Sequence, residues 1–391
     1  MKGKIITAAL LAISNICYAQ TGPVLREIEE NNQNLRIAAE KAELEKLENH
    51  AEAILPNPEI ELAYLWGQNS SVGNRQDISV SQSFDIPTLT GMRSRLAVRE
   101  DEMAILKYKA ERINVLLEAK NLLIELTCYN ALKRQLESHL KNAESLVQST
   151  QKKMDLGGAN ILETKKARLH LASVKGKIAQ IDVERGRLIS ELTRLNGGKE
   201  IHFDSDAYED ADVLPLSFTE WYSEASDRNP VLKYVQKQVE VSNSRVKIEK
   251  TATLPNLSIG YTSELARDAK YRGVSLGISI PLWNNGNRIR RADAAMRIAE
   301  NESKAAEQEF YERLLSDYNK ASGLRAAADD FRQALESADN RDVLLKAQEK
   351  GEISMIDYIV ESDLYYSALE DYLKSERDYR LALASLQSVL L

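Results

Sequence analysis

Four short segments of the chain alternate apolar and polar residues with a period of two, which is the pattern of β-strands. The predicted strands cover about residues 57–66 and 76–86, and then about 256–263 and 271–280. Loop-type residues between the members of each pair predict two hairpins. The apolar positions are Ile60, Leu62, Tyr64, Ile78, Val80, Phe84, Ile86, Leu257, Ile259, Tyr261, Val274, Leu276, Ile278 and Ile280. The opposite faces carry mainly Ser, Gly, Thr and Asp, which suits contact with water.

Long helical segments flank both hairpins. Residues 91–155 contain no proline and no glycine after Gly91, so they are predicted to form one helix of about 95–100 Å at 1.5 Å per residue. A returning helix is predicted at about 160–195. The second half repeats this order, with helices at about 286–350 and 354–389. Shorter helical segments precede the hairpins, from Val24 to Ala53 and from Phe218 to Thr253, the latter broken near Asn229-Pro230.

The two halves of the chain are an internal repeat. Its landmarks recur at offsets of 194 to 199 residues: Leu55-Pro56-Asn57 and Leu254-Pro255-Asn256, Ile86-Pro87 and Ile280-Pro281, and Gly-x-Arg-x-Arg at Gly91 and Gly286. A duplication that preserves strands and helices sets the architecture. We therefore divide the chain into residues 1–19, a signal peptide; 20–200, the first repeat; 201–215, a linker; and 216–391, the second repeat.

Composition and charge exclude several classes of protein. The 391 residues are 43% hydrophobic and 28% charged, with a net charge of −7 and no long basic run, so nucleic-acid binding has no electrostatic support. A basic flank and a short apolar core from Ile5 to Ile16 predict export. Cleavage after Ala19 is preferred to lipidation of Cys17, because Ser14-Asn15-Ile16 lacks the small residue that lipoprotein processing needs. No later segment is apolar enough to predict a transmembrane helix.

The apolar faces of the four predicted strands must be removed from water, either by contact with lipid or by packing against other protein. Apolar–polar alternation over about ten residues is typical of a transmembrane β-barrel. Sheet edges cannot face lipid, and four strands are too few to close a barrel, which takes about eight or more. Three copies would supply twelve strands. The alternative is a soluble helical protein whose two hairpins pack on each other or on helices.

With these repeated motifs, the chain resembles the TolC-like outer-membrane efflux proteins over its whole mature length. The resemblance implies a mainly helical fold in which long antiparallel hairpins form a periplasmic tunnel and four strands join a homotrimeric, twelve-stranded barrel in the outer membrane. It also implies an exit duct for small toxic compounds or metal ions, docked to a periplasmic adaptor and an inner-membrane pump of RND or ABC type. A type I protein-secretion duct and a periplasmic coiled-coil scaffold without a pore remain alternatives.

The resemblance assigns the hairpin tips to adaptor contact and to closure of the duct. The residues that fall in the contact zone are Gly157, Gly158, Asn160, Gly351 and Ser354. Four acidic residues at the same end, Asp155, Glu349, Glu352 and Asp357, would form a cation-favouring ring if they point inward in a trimer. Turn geometry for the glycines and simple solvation for the carboxylates are the alternatives.

The strand-to-helix corners carry a third group of residues: Pro87, Arg93, Arg95, Pro281, Arg288 and Arg290. Proline fits where strand pairing ends, because it has no N–H to leave unpaired. The arginines could bind carboxylates, lipid head groups or water.

The sequence predicts no catalysis, cofactor or metal site. The histidines at positions 50, 139, 170 and 202 lack a metal-ligand spacing, and no phosphate loop or nucleophile motif is present. After cleavage Cys128 would be the single thiol, and it is predicted to be a core residue without a disulfide.

Overall fold

The structure of the chain, a computed structural model, describes residues 21–51, 53–68, 73–84, 87–156, 160–209, 213–266, 268–281, 285–338 and 341–391. The predicted signal peptide with Cys17 lies outside the described residues, as do Ile86, Gly157 and Gly158.

Helices and strands alternate in the order predicted for two repeats. The first half contains α1 (Thr21–Asn31), α2 (Gln33–Ala51), β1 (Glu59–Leu65), β2 (Arg75–Phe84), α3 (Pro87–Asp155) and α4 (Ile161–Leu195). The second half contains α5 (Phe218–Arg228), α6 (Pro230–Thr251), β3 (Asn256–Leu265), β4 (Lys270–Ser279), α7 (Asn285–Ala338), α8 (Arg341–Lys350) and α9 (Met355–Leu386), followed by a short 3₁₀ turn at Ser388–Leu390.

The first helical segment differs from the prediction of a single helix. It divides at Asn32, which is 2% exposed and whose side chain donates to the Leu195 carbonyl oxygen over 2.8 Å. The same side chain accepts a hydrogen bond from the Leu35 N–H over 3.0 Å and so caps α2. In the second repeat Asn229 caps α6 in the same way, because its side chain accepts hydrogen bonds from the N–H groups of Val231 and Leu232.

The four strands form one antiparallel sheet in the order β1-β2-β3-β4. The outer pairings are the two predicted hairpins. The central pairing, β2 with β3, joins the two repeats and aligns Gln76 with Leu265 and Phe84 with Leu257. Residues directly opposite each other in an antiparallel sheet share a face. Ile60, Val80, Tyr261 and Val274 form one such row across all four strands.

The first of two compact units comprises the chain up to Arg36, Glu111–Ala225 and Tyr311–Leu391. Its described part is mainly helical, and one core cluster joins α1, α3 and α4 through fully buried residues. These include Ile28, Ala119, Leu126, Leu188 and Leu192. A second cluster surrounds Cys128, which is 1% exposed and a free thiol, as predicted.

The second unit comprises Ile37–Ala110 and Ser226–Phe310 and contains the sheet. Ion pairs connect its helices side by side: His50 and Asp101 lie 2.8 Å apart between α2 and α3, and Lys237 and Glu102 lie 2.8 Å apart between α6 and α3. In the described part of the chain, every helix is too short or too polar to serve as a membrane span.

Candidate functional site

One face of the sheet is mainly apolar and exposed, although Gln82 lies among the apolar residues, opposite Ile259. Every residue predicted to face lipid is between 39% and 80% exposed in the single chain. The strand register brings these side chains together in rows, because Leu62 lies opposite Ile78, Ile259 opposite Leu276, and Leu257 opposite Ile278. The members of this apolar face are Ile60, Leu62, Ile78, Val80, Phe84, Leu257, Ile259, Val274, Leu276 and Ile278. A contiguous apolar face of this kind indicates a contact with lipid or with a protein partner.

The opposite face of the sheet is small and polar. Ser81, Gly260 and Ser275 share one row on this face. A Cβ atom at Gly260 would lie 2.5 Å from the Ser275 Oγ, and one at Gly277 would lie 2.3 Å from the Ser258 Oγ. The face is therefore crowded at its centre, where a larger residue at Gly260 or Gly277 would force a neighbouring serine hydroxyl to move.

Arg288 and Arg95, two of the four corner arginines, contact different kinds of group. Arg288 Nε lies 2.9 Å from the Glu249 carboxylate, whereas Arg95 Nε donates to the Gly91 carbonyl oxygen over 3.1 Å. Arg93 and Arg288 both line a cleft of about 540 Å³ that α2, α3, α6 and α7 enclose. Arg290 is exposed, Pro281 is partly buried, and the side chain of Pro87 lies outside the description. The sequence left carboxylates, lipid head groups and water as partners for these arginines. For Arg288 the partner is a carboxylate, that of Glu249.

The second tip is a helix–turn–helix in which Gly351, Glu352 and Ser354 have local structural roles. Gly351 adopts a φ of +79°, a left-handed conformation that favours glycine. The N–H of Glu352 donates to the Ala347 carbonyl oxygen over 2.8 Å, which closes α8. Ser354 caps α9 by accepting from the Asp357 N–H over 3.1 Å, and its hydroxyl donates to the Asp357 carboxylate over 2.7 Å.

At the first tip, Asn160 caps α4 by accepting from the Leu162 N–H over 3.1 Å. Asp155 accepts a hydrogen bond from Gln151 over 3.0 Å. Apolar side chains surround this cap without being buried: Leu156 is 88% exposed, and Ile161 and Leu162 are each 59% exposed. The predicted contact zone thus contains an exposed apolar surface in addition to the predicted glycine, asparagine and serine residues.

The acidic residues of the tips are exposed where they are described. Asp155, Glu352 and Asp357 all face solvent in the single chain, and the side chain of Glu349 is not described. Asp155 and Asp357 each make a local hydrogen bond. These bonds do not prevent the same carboxylates from facing the lumen of a trimer as part of an acidic ring.

Two of the scattered histidines meet in the first unit. His139 of α3 and His170 of α4 have ring centroids 5.0 Å apart, and the His139 ring stacks on Tyr366 of α9 at 3.8 Å. His170 Nδ1 lies 3.7 Å from an Asp363 carboxylate oxygen. Burial lowers the pKa of His139 to about 3, and His170 and Lys177 act in the same direction. Burial also lowers the pKa of His170, although Asp363 opposes this shift.

Ligand spacing within one helix does not reveal this cluster. Three different helices supply the groups. The available signal was the position of His139 on the apolar seam of α3, between Leu136 and Ala143, where a polar residue is unexpected.

The comparisons with known proteins agree with the geometry of the sheet and hairpins. Residues 221–390 match the sequence profile of the family described as outer membrane efflux protein. A search of curated protein sequences finds no match to the chain.

Solved structures of channels share the fold at low sequence identity. CusC, whose structures concern folding and transmembrane channel formation, superposes with a TM-score of 0.76 at 15% identity, covering 96% of this chain and 93% of its own. The Campylobacter jejuni CmeC outer membrane channel gives 0.75 at 14% identity, covering 95% and 85%. The open-state Neisseria gonorrhoeae MtrE outer membrane channel gives 0.74 at 14% identity, covering 95% and 88%.

The superposed structures are those of channel proteins. The resemblance to the TolC-like outer-membrane efflux proteins is confirmed: residues 221–390 match the family model described as outer membrane efflux protein, and the chain as a whole has the fold of these channels.

Proposed function

We propose that three copies of this chain form the outer-membrane exit duct of a tripartite efflux pump. The observation that carries the proposal is the four-stranded sheet with one exposed apolar face and β1 and β4 at its edges. Lipid accepts the apolar face but not the unpaired backbone groups of an edge strand. Pairing β4 of one copy with β1 of the next satisfies both edges, and a ring of three contains twelve strands, enough to close.

The polar face then lines the channel. Its serines, threonine and glycines offer hydroxyl groups and open backbone to water, which is the usual interior of a transmembrane barrel. Glu59 and Glu61 of β1 lie on this face, opposite Ser81 and Ser79. These two residues alone would contribute six carboxylates to the lumen of three copies, and such rings favour cations over anions.

The hairpin tips are the proposed docking surface for a periplasmic adaptor, which links the duct to an inner-membrane pump of RND or ABC type. The exposed Leu156, Ile161 and Leu162 support this assignment, because exposed apolar groups rimmed by polar residues are typical of protein-binding sites. The proposed cargo is small toxic compounds or metal ions. A type I secretion duct would use the same surface with a different pump.

Planar bilayers test the conduit directly. Purified protein should insert and produce discrete conductance steps with cation preference, and Glu61→Gln should reduce that preference while leaving conductance intact. A protein that stays in aqueous solution and produces no conductance would favour the scaffold without a pore.

Adaptor docking needs a separate test in cells that express the cognate adaptor. Leu162→Ser should reduce cross-linking of adaptor to duct and raise sensitivity to pump substrates, with outer-membrane levels unchanged. Val183→Ser, which removes a 70% exposed apolar side chain further along α4, is the matched control and should have no effect. Equal cross-linking in both variants would remove the tip assignment.

A further inference from the structure

We propose that His139, His170 and Asp363 form a binding site for a divalent transition-metal ion, with Zn²⁺ as the probe. One nitrogen or oxygen atom from each residue lies within 4.8 Å of the other two. Two imidazoles and a carboxylate are a donor set that Zn²⁺ and its neighbours in the first transition row accept. The three residues all belong to the first unit of a single chain, so the site does not depend on trimer assembly.

Unsatisfied nitrogens are the first reason for the proposal. His139 is 2% exposed and His170 is 7% exposed. The Nδ1 of His139 and the Nε2 of His170 are buried without a hydrogen-bond partner. A buried polar atom left unpaired costs about 1–3 kcal/mol, so such pairs are uncommon without a function.

The remaining contacts of the cluster orient its rings. His139 Nε2 lies 3.4 Å from the Ser362 hydroxyl, and the parallel Tyr366 ring fixes the plane of the imidazole. Groups that hold a ligand ring in place in this way are a regular part of metal sites.

Charge and access fit a cation. The site has one carboxylate, and the Asp363 side chain is 53% exposed, so an ion can reach it from solvent. A neutral imidazole leaves a lone pair on one ring nitrogen for a metal ion. The positive charge of Lys177 acts on both imidazoles and opposes the binding of a cation.

The distances require a small closure. Zn–N bonds of about 2.0–2.1 Å place tetrahedral ligand atoms roughly 3.4 Å apart, against the 4.8 Å limit observed. Rotation of the exposed Asp363 side chain supplies part of this movement. Ligation would then tie α3 and α4 of the first hairpin to α9 of the second.

Metal binding to the purified, full-length protein in detergent tests the proposal. After treatment with a chelator, the wild type should bind one equivalent of Zn²⁺ per chain. Co²⁺ should give the visible absorption of a tetrahedral site, and Zn²⁺ should raise the thermal unfolding midpoint. His139→Gln and His170→Gln should each weaken binding by at least about tenfold, as should Asp363→Asn.

His50→Gln is the matched control, because it removes an exposed imidazole that also pairs with a carboxylate, that of Asp101. It should retain the full equivalent. Absence of binding in a correctly folded wild type would overturn the proposal, and so would undiminished binding in the His139→Gln/His170→Gln double variant. Conductance is measured separately, so a failure to bind metal would not contradict the proposal that the protein forms a duct.

Discussion

Replacing Val274 by arginine tests whether the apolar sheet face meets lipid. Val274 lies at the centre of β4, is 74% exposed in the single chain and shares a row with Tyr261. If this row lies near the middle of the bilayer, an arginine there costs about 2–4 kcal/mol per chain, or roughly 6–12 kcal/mol in a trimer. That is comparable to the whole stability of a typical protein, so Val274→Arg should fail to assemble.

The neighbouring residue provides the control. Gly273 lies opposite Thr262, so a side chain at this position would be on the polar face of the sheet. A Cβ atom there would meet no atom within 4 Å. Gly273→Arg should therefore change stability by less than about 0.5 kcal/mol, as is usual at exposed positions. Both variants are compared by outer-membrane fractionation and by the thermal dissociation midpoint of the detergent-solubilised trimer. Equal yield and equal midpoints would refute the lipid contact.

Three further outcomes are expected. Gly260→Val should lower the trimer's dissociation midpoint, with a loss of about 1–3 kcal/mol, because its Cβ would lie 2.5 Å from the Ser275 Oγ; an unchanged midpoint would show that the polar face has room. Ser354→Ala removes the acceptor of the Asp357 N–H and should cost about 1 kcal/mol, seen as faster amide exchange in the first turn of α9; unaltered exchange would contradict the cap. Burial raises the pKa of the Cys128 thiol to about 11, so at pH 8 it stays protonated and native protein should resist iodoacetamide until unfolded, whereas rapid labelling would argue against the core position.

Local pattern in the sequence was enough to predict the strands and most helices. Period-two alternation predicted strands near 57–66 and 271–280, and the structure has them at Glu59–Leu65 and Lys270–Ser279. Alternation also predicted which side chains share a face, because that follows from strand geometry alone.

Contacts between distant segments were beyond the sequence analysis. The pairing of β2 with β3 spans the two repeats, and no local feature of either strand specifies its partner. The division at Asn32 depends on the Leu195 carbonyl oxygen, which is 163 residues away. The approach of His139 to His170 likewise depends on how α3 packs against α4, not on spacing within a helix.

Edge-to-edge cross-linking tests the central claim most directly. One cysteine is introduced on β1 and one on β4 of the same chain, in a background with Cys128 replaced. Disulfides should form between copies once the two edge strands pair. The account predicts covalent products that grow to three chains in the outer membrane and stop there. A water-soluble single chain, or cross-linked species that close at any other number, would contradict it.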